Sequence, residues 1–211
     1  MIICGIDDAG RGPVIGPMVL AGCSLREEHH DKLKDLQVRD SKLLTPEKRS
    51  ELFEKIRSLC NTYYVIIPVS EIDDKRINLN DLEAIKAAEI INYLRPEKTI
   101  IDCPSPNTEA WRNYVKRHVT NSTEILAEHK ADFNHPIVSA ASIIAKVIRD
   151  REIEKIKKEL GIDFGSGYLT DPKTNEFMNL HFHAHQHLFR HSWAPIREKL
   201  KNKLQKKLLD F

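Results

Sequence analysis

The chain has 211 residues, of which 41% are hydrophobic and 30% charged, so it is long enough for a full core and is neither disordered nor fibrous. The 33 basic and 31 acidic residues leave a formal net charge of +2, so overall charge does not indicate a nucleic-acid partner. No apolar stretch is long enough to span a bilayer, and no secretion signal opens the chain, so we expect a cytoplasmic protein without a membrane partner. The sequence leaves the oligomeric state open, and a monomer is the default expectation. The cysteines form no CxxC pair and are predicted to be reduced, buried thiols. They are Cys4, Cys23, Cys60 and Cys103.

Two apolar runs near the start predict the first strands of a sheet. Residues 2–6 predict a buried strand that stops at the pair Asp7-Asp8, and residues 14–24 predict a second, antiparallel strand. Gly10-Arg11-Gly12 predicts a tight turn between them. The polar segment 31–36 predicts a loop.

Helices and strands alternate along the rest of the chain. Thr45 before Pro46 predicts a helix start, and the helix is expected to run to about residue 59. The alternation predicts an α/β fold with a mixed sheet flanked by helices over residues 1–164, and a helical C-terminal extension over residues 165–211. The further predicted elements are strands over 62–69 and 99–102, helices over 79–94 and 108–118, a strand or loop over 122–129, a long helix over 137–160, a turn over 165–168 and helical material from there to the end.

Carboxylates end two predicted strands and precede the long helix. Asp7 and Asp8 end the first strand, Asp102 ends another, and Asp132 lies just before Pro136. Strand ends and helix starts meet at one edge of an open α/β sheet, so these side chains are predicted to converge. Clustered carboxylates repel one another unless a cation lies between them, and oxygen ligands suit Mg²⁺. Two such ions about 4 Å apart promote phosphodiester cleavage. The alternative is that each Asp is a helix cap, a turn residue or a solvated charge.

The Gly10-Arg11-Gly12 turn follows the acidic pair directly. Glycines let the backbone approach a ligand and present its N–H and C=O groups, and Arg11 is placed to meet a phosphate. The alternative is that the glycines only shape a hairpin.

Several blocks of the sequence resemble the ribonuclease HII family, the type 2 ribonucleases H, in their archaeal or bacterial single-chain form. The blocks occur in family order across nearly the whole chain. They are DDAGRGPVIGP at 7–17, DSKLL at 40–44, KAD at 130–132, PIVSAASIIAKVIRD at 136–150, GSGY at 165–168 and TDP at 170–172.

The resemblance implies a ribonuclease H-like fold and an endonuclease that acts in DNA replication and repair. Such an enzyme hydrolyses the RNA strand of RNA–DNA hybrids and nicks duplex DNA 5′ of an embedded ribonucleotide, leaving 3′-hydroxyl and 5′-phosphate ends. The resemblance places the catalytic, metal-binding carboxylates on Asp7, Asp8, Asp102 and Asp132, with Mg²⁺ as the first choice of ion and Mn²⁺ as the second. Asp7 is then expected to bridge two ions, Asp8 and Asp102 to share the first, and Asp132 to hold the second.

Asp8 departs from the family, which usually has Glu at this position. Because Asp is shorter by one methylene, we expect lower metal affinity or turnover without loss of cleavage. One alternative is a non-cleaving or weakly active hybrid-binding protein. Another is a different nuclease or strand-transferase on the same fold, which the turn and Tyr168 argue against because both suit a ribose.

The resemblance also assigns substrate contacts. The backbone of Gly10, Arg11 and Gly12 is expected to recognise the ribose 2′-OH, which both donates and accepts hydrogen bonds. Tyr168 is expected to stack on the sugar just past the ribonucleotide. Without the motif, Tyr168 would be interpreted as a core or surface aromatic.

Three basic residues are further candidates for the substrate backbone. Lys42 is expected to contact a phosphate. Lys146 and Arg149 share one helix face and are either phosphate contacts or ion-pair partners of Asp150 and other acids.

The C-terminal segment carries three further patterns. Five histidines at i, i+4 spacings predict either a zinc or nickel site on a helix or a solvated polar face. Residues 197–207 are strongly basic, which suits either a nucleic-acid backbone or a solvated helix face. The last seven residues resemble a sliding-clamp-binding box, in which Leu208 and Phe211 enter an apolar pocket and Gln205 hydrogen-bonds beside it. The histidines are His181, His183, His185, His187 and His191.

Overall fold

Apolar and β-branched segments form a mixed sheet at the centre of the computed structural model, which describes residues 1–36 and 45–209. Within these residues five strands lie in the order β3-β2-β1-β4-β5. The first three strands along the chain are antiparallel neighbours, and β4 and β5 run parallel to β1. The strands are β1 (Ile2–Ala9), β2 (Met18–Arg26), β3 (Asn61–Ile67), β4 (Lys98–Asp102) and β5 (Glu124–Glu128).

Helices cover both faces of the sheet. Side-chain caps fix several helix starts, because the oxygens of Thr45, Asn78 and Asn107 each accept a backbone N–H of the first turn. No helix within the described ranges has the length and apolar character needed to cross a membrane. The helices are α1 (His30–Asp35), α2 (Pro46–Leu59), α3 (Val69–Ile72), α4 (Leu79–Leu94), α5 (Thr108–His118), α6 (Ala131–Asn134), α7 (Pro136–Leu160), α8 (Pro172–His181) and α9 (Ala194–Leu209).

The core has one layer on each face of the sheet. The first layer joins the sheet to α1, α2 and α7, and the second joins it to α4 and α5. The start of α7 lies directly on β1, since a side chain at Gly5 would collide with the backbone of Ile137. This contact holds the N-terminal half of the long helix against the strand that carries the acidic pair.

A third apolar cluster joins the C-terminal extension to the turn after β1. Phe164, Phe177 and Phe189 pack with Val14 and Ile15 in this cluster. Each fully buried aromatic of this kind contributes about 1.5–3 kcal/mol. The extension is therefore anchored beside the turn that follows the acidic pair.

The structure confirms the predicted α/β class and corrects several boundaries. The first strand continues to Ala9, so Asp7 and Asp8 lie inside its end and not beyond it. The second strand begins at Met18 and not at Val14, because Val14 and Ile15 pair instead with the extension.

Three other expectations also change. The predicted loop over residues 31–36 is wrong, because residues 30–35 form α1, which buries Leu33 in the core. The strand predicted over 62–69 ends at Ile67, and Val69 begins α3. The material after residue 168 is not continuously helical, since residues 182–193 hold only a short 3₁₀ turn at Gln186–Leu188. The four cysteines all lie in described segments, and each is buried and free, as predicted.

Candidate active site

Parallel pairing of β1 with β4 brings two carboxylates side by side. Ile6 pairs with Ile101, so Asp7 and Asp102 occupy the next position on each strand. Asp7 is only 6% exposed. One of its carboxylate oxygens accepts the backbone N–H of Asp8 at 2.8 Å, and its carboxylate also accepts a hydrogen bond from the Ser142 hydroxyl of α7.

The electrostatics of Asp7 indicate a site built for positive charge. Burial, followed by the charges of Asp8 and Asp102, raises the pKa of Asp7 well above its usual range. The hydrogen bonds from Ser142 and the Asp8 backbone oppose this shift but do not cancel it. A cation placed between these carboxylates would offset both the burial and the repulsion.

Asp102 also positions the fourth carboxylate. Its Oδ1 accepts the backbone N–H of Ala131 at 2.9 Å, which ties the end of β4 to the first residue of α6. Lys130 precedes that helix in a left-handed conformation with φ 57°, which turns the chain sharply into it. Asp132 is thereby brought to the same edge of the sheet.

One cavity of about 370 Å³ gathers the predicted residues. All four carboxylates line it, as do the Gly10-Arg11-Gly12 turn, Lys146 and Tyr168. A larger groove of about 540 Å³ lies between α2 and α7, lined by basic and acidic residues that include Arg49 and Asp150. It lacks the carboxylate cluster, so the chemistry of the smaller cavity favours it as the site.

The carboxylates fit a hydrated divalent ion better than a closed metal cage. In the described part of the chain, no three His, Cys, Asp or Glu side chains form a ready-made metal-binding set. Mg²⁺ is usually held by one or two carboxylates together with waters and substrate phosphates, so it does not need such a set. The buried Asp7 and the partly buried Asp8 and Asp102, whose charges repel it, supply oxygen ligands of that kind.

The turn after β1 has a conformation that requires glycine. Gly10 has φ +85°, and a side chain there would collide with Arg149 from α7. Arg11 directs its guanidinium to α4, where it forms an ion pair with Glu83 and donates to Asn80 Oδ1 at 2.6 Å. Burial lowers the pKa of Arg11, whereas Asp8 raises it. The side chain of Arg11 thus braces the turn against α4.

Tyr168 presents an aromatic surface to the cavity. The residue is 38% exposed, and the guanidinium of Arg149 lies 5.3 Å from its ring centroid. Arg149 also donates from Nη2 to the carbonyl of Ser166 at 3.0 Å, which fixes the loop before the tyrosine. Arg149 therefore supports Tyr168, and the ion pair of Asp150 is formed with Arg49 at 3.5 Å.

The remaining predicted residues lie elsewhere. Lys42 lies outside the described residues, as does Phe211. The backbone of residues 205 and 208 belongs to α9, but the side chains of Gln205 and Leu208 lie outside what the structure describes.

The histidines do not share one helix, because α8 ends at His181. The rings of His181 and His185 stack on Phe177, with centroids 5.1 and 5.8 Å away. The side-chain Nε2 of His191 donates to Gln186 O at 3.0 Å, and the backbone N–H of His191 donates to Asp73. These contacts pack His181, His185 and His191 into the extension, whereas His183 and His187 are exposed.

Sequence reasoning missed two residues that shape the turn. Glu83 is 2% exposed on α4 and pairs with Arg11, and Arg190 is fully buried and donates to the turn carbonyls from the extension. The sequence does carry a weak signal for Arg190, since this charge directly follows the apolar pair Leu188-Phe189. For Glu83 we find no comparable signal.

Comparison with known proteins identifies relatives over the whole chain. The family model of ribonuclease HII matches residues 4–196. A ribonuclease HII from Pyrococcus furiosus is 42% identical over 219 residues, covering 100% of this chain and 97% of the relative. The crystal structure of the ribonuclease H2 from Pyrococcus horikoshii OT3 matches with a TM-score of 0.89 and 39% identity, covering 98% of this chain and 100% of that one. The ribonuclease HII in a PCNA complex from Archaeoglobus fulgidus matches with a TM-score of 0.84 and 39% identity, covering 92% of this chain and 95% of that one.

Proposed function

Because the chain belongs to the ribonuclease HII family, and so is a metal-dependent endoribonuclease, we propose that it cuts the RNA strand of RNA–DNA hybrids and nicks duplex DNA on the 5′ side of an embedded ribonucleotide. The products would carry 3′-hydroxyl and 5′-phosphate ends. The observation that carries this proposal is a single cavity lined by the four predicted carboxylates, a glycine-shaped turn and an aromatic residue. The first group suits phosphodiester hydrolysis, and the other two suit recognition of a sugar.

We infer that the four carboxylates hold two divalent ions. Asp7, Asp8, Asp102 and Asp132 would be the residues that hold these ions. The raised pKa of Asp7 supports this assignment, since burial and neighbouring carboxylates disfavour its charge until a cation is present. Mg²⁺ is the expected ion and Mn²⁺ the second choice, because both prefer oxygen ligands. Bound ions would polarise the phosphodiester and activate a water.

The protein groups around these ions position the carboxylates and contact the substrate. Ser142 holds the Asp7 carboxylate by a hydrogen bond, and Asp102 fixes the start of α6 and thereby Asp132. Lys146 lines the cavity and would neutralise a substrate phosphate. The hydrogen bonds of Ser142 and Asp102 thus set the positions of the Asp7 and Asp132 carboxylates before the substrate binds.

Recognition of the ribonucleotide is assigned to the turn and to Tyr168. Backbone groups of the 10–12 turn would bind the ribose 2′-OH, which a deoxyribose lacks. Tyr168 would stack on the next sugar, where a deoxyribose fits best. Residues 1–164 would then supply catalysis, and residues 165–211 would supply the stacking residue and a tail.

We also propose that the tail binds a sliding clamp. Residues 205–211 (QKKLLDF) resemble a clamp-binding box, and the similar Archaeoglobus protein was solved in a complex with PCNA. A clamp bound to the tail would hold the nuclease on the DNA that it surveys for ribonucleotides.

The test uses a labelled duplex with one ribonucleotide in an otherwise DNA strand. The purified chain is incubated with it in Mg²⁺, in Mn²⁺ and in EDTA, beside an all-DNA duplex of the same sequence. We expect one nick 5′ of the ribonucleotide in either metal, and none in EDTA or on the all-DNA duplex. Asp132→Asn should abolish the nick, whereas Asp150→Asn, at a half-exposed carboxylate of the same cavity, should retain it.

The position of the cut separates the alternatives. Cleavage that ignores the ribonucleotide would indicate another nuclease on this fold. Binding to the duplex without cleavage in either metal would indicate the hybrid-binding protein that Asp8 makes conceivable.

A further inference from the structure

Arg190 of the C-terminal extension connects to three carbonyls of the segment after β1. The residue is fully buried. Its Nη2 donates to Gly10 O at 2.7 Å, its Nη1 to Arg11 O at 3.0 Å, and its Nε to Gly16 O at 2.9 Å. One guanidinium therefore cross-links both ends of the loop that lines the active-site cavity.

Arg190 is itself held rigidly. Its backbone N–H donates to Val14 O at 2.9 Å, and its guanidinium lies 5.0 Å from the ring centroid of Trp193. Burial, followed by the nearby charge of Arg149, lowers the pKa of Arg190 to about 9, so the group stays charged at neutral pH. Charged donors make shorter and stronger hydrogen bonds than neutral ones.

These bonds determine where the turn points its N–H groups. The described peptide bonds are all trans, so the carbonyl of one residue and the N–H of the next point in opposite directions. The carbonyls of Gly10 and Arg11 point to the buried Arg190. The N–H groups of Arg11 and Gly12 therefore point away from Arg190, and both residues line the cavity.

We propose that Arg190 is a positioning residue for ribose selection, which holds the 10–12 turn so that two consecutive N–H groups face the 2′-oxygen of the ribonucleotide. This inference rests on the proposed function and adds to it a residue outside the motifs of the turn. It also gives the extension a second task, since the same segment that carries Tyr168 sets the shape of the ribose-binding turn.

The chemistry requires arginine at this position. A planar fork reaches adjacent carbonyls in fixed directions, whereas a lysine ammonium is a point charge on a flexible stem. Arg190→Lys keeps the charge and loses the fork. Any effect of Arg190→Lys on the turn therefore comes from the lost hydrogen-bond geometry and not from a lost positive charge.

The experiment compares wild type and Arg190→Lys on two duplexes, one with a single ribonucleotide and one all DNA. Fluorescence anisotropy in EDTA gives the affinity ratio of the two duplexes, and single-ribonucleotide cleavage in Mg²⁺ gives kcat and KM. We expect Arg190→Lys to lose most of the ribonucleotide preference in binding and about 10²-fold in kcat, the usual cost of a reacting group displaced by about 1 Å. All measurements are made below the melting midpoint of each variant.

Phe182→Leu is the matched control. Phe182 is buried in the same cluster of the extension, and none of its described contacts reaches the turn. We expect it to lower the melting midpoint while keeping the ribonucleotide preference. A purely structural role for Arg190 would make both variants behave alike.

If Arg190→Lys does not fold, Arg190→Gln replaces it, because a glutamine amide has only two N–H donors and cannot make all three hydrogen bonds to the turn. This variant is also expected to lose most of the ribonucleotide preference in binding. An unchanged preference in whichever variant folds overturns the proposal while the proposed function stands. If wild type itself shows no preference for the ribonucleotide, the proposed function fails and the inference fails with it.

Discussion

Asp7→Asn should stabilise the metal-free protein while it abolishes cleavage. In wild type a buried carboxylate lies between Asp8 and Asp102, and both burial and these neighbours raise the pKa of Asp7. Asparagine has nearly the same shape and can still accept the Asp8 N–H, but it carries no charge. The substitution therefore removes an unfavourable charge from the folded state and removes a metal ligand at the same time.

The size of this effect follows from burial and chain length. An uncompensated buried polar group costs about 1–3 kcal/mol, so removing the charge of Asp7 should raise the unfolding free energy by about that amount. In a chain of this size 1 kcal/mol corresponds to about 2–4 °C, so we expect the midpoint of Asp7→Asn in EDTA to rise by about 2–12 °C. A divalent ion at 100 times its dissociation constant would stabilise wild type by about 2.7 kcal/mol, and Asp7→Asn should lose most of that gain.

The sign of the pH dependence is fixed by the direction of the shift. Because the folded-state pKa of Asp7 is raised, the protonated residue adds stability below the ordinary Asp pKa, and this stability is lost as the pH rises through the folded-state pKa. Asparagine does not titrate. The advantage of Asp7→Asn in EDTA should therefore be small in acid and grow as the pH increases.

Thermal melts of both proteins in EDTA from pH 4 to pH 8, repeated with Mn²⁺, test this reasoning. Asp150→Asn is the control, since Asp150 lines the same cavity but pairs with Arg49 at its half-exposed rim, and its midpoint should stay close to that of wild type. A lower midpoint for Asp7→Asn at pH 8 in EDTA, or a difference that does not change with pH, would refute the account of Asp7.

Three further predictions concern cleavage and binding. Asp8→Glu should raise the cleavage rate or lower the Mg²⁺ concentration at which the rate is half-maximal, as measured by single-turnover kinetics across a Mg²⁺ titration. Identical titration curves for both proteins would show that the shorter Asp8 carboxylate reaches far enough. Tyr168→Ala should reduce cleavage at a single ribonucleotide by about 10–10²-fold, since one aromatic stacking contact is worth about 1–3 kcal/mol. Tyr168→Phe keeps the ring and should stay within a few-fold of wild type, and equal rates for the Ala and Phe variants would exclude stacking. Deletion of residues 205–211 should abolish clamp binding in surface plasmon resonance and leave the intrinsic nuclease intact, and undiminished clamp affinity would place the clamp contact elsewhere.

The carboxylates at the edge of the sheet were predictable, because the local sequence indicates where strands end. Apolar runs that stop at Asp7-Asp8 and Asp102 predict strands whose ends carry carboxylates, and parallel pairing places such ends together. The approach of Asp132 depends in addition on the hydrogen bond from Ala131 to Asp102. That bond joins residues 29 positions apart, and no local sequence pattern predicts it.

The errors in the predicted secondary structure lie where tertiary contacts outweigh the local preference of the sequence. Residues 30–35 are almost entirely polar, which suits a loop, yet burial of the single apolar residue Leu33 holds them in a helix. Val14 and Ile15 have high β-propensity, but they extend no strand of the sheet because Gly167 and Phe189 of the extension take their pairing.

The turn shows why motif residues alone do not define a recognition site. Its glycines allow the conformation, but two charged groups distant in sequence stabilise it. Glu83 forms an ion pair with Arg11, 72 positions away. Arg190 donates hydrogen bonds to the carbonyls of Gly10 and Arg11, which lie 180 and 179 positions away. Both groups are buried, and burial of a charge is costly unless its partners are in place. The observed shape of the turn is therefore held by contacts to both α4 and the extension. We infer that selection of the ribose depends on the completed fold, so substitutions at Glu83 or Arg190 should weaken it while every residue of the Gly10-Arg11-Gly12 motif remains unchanged.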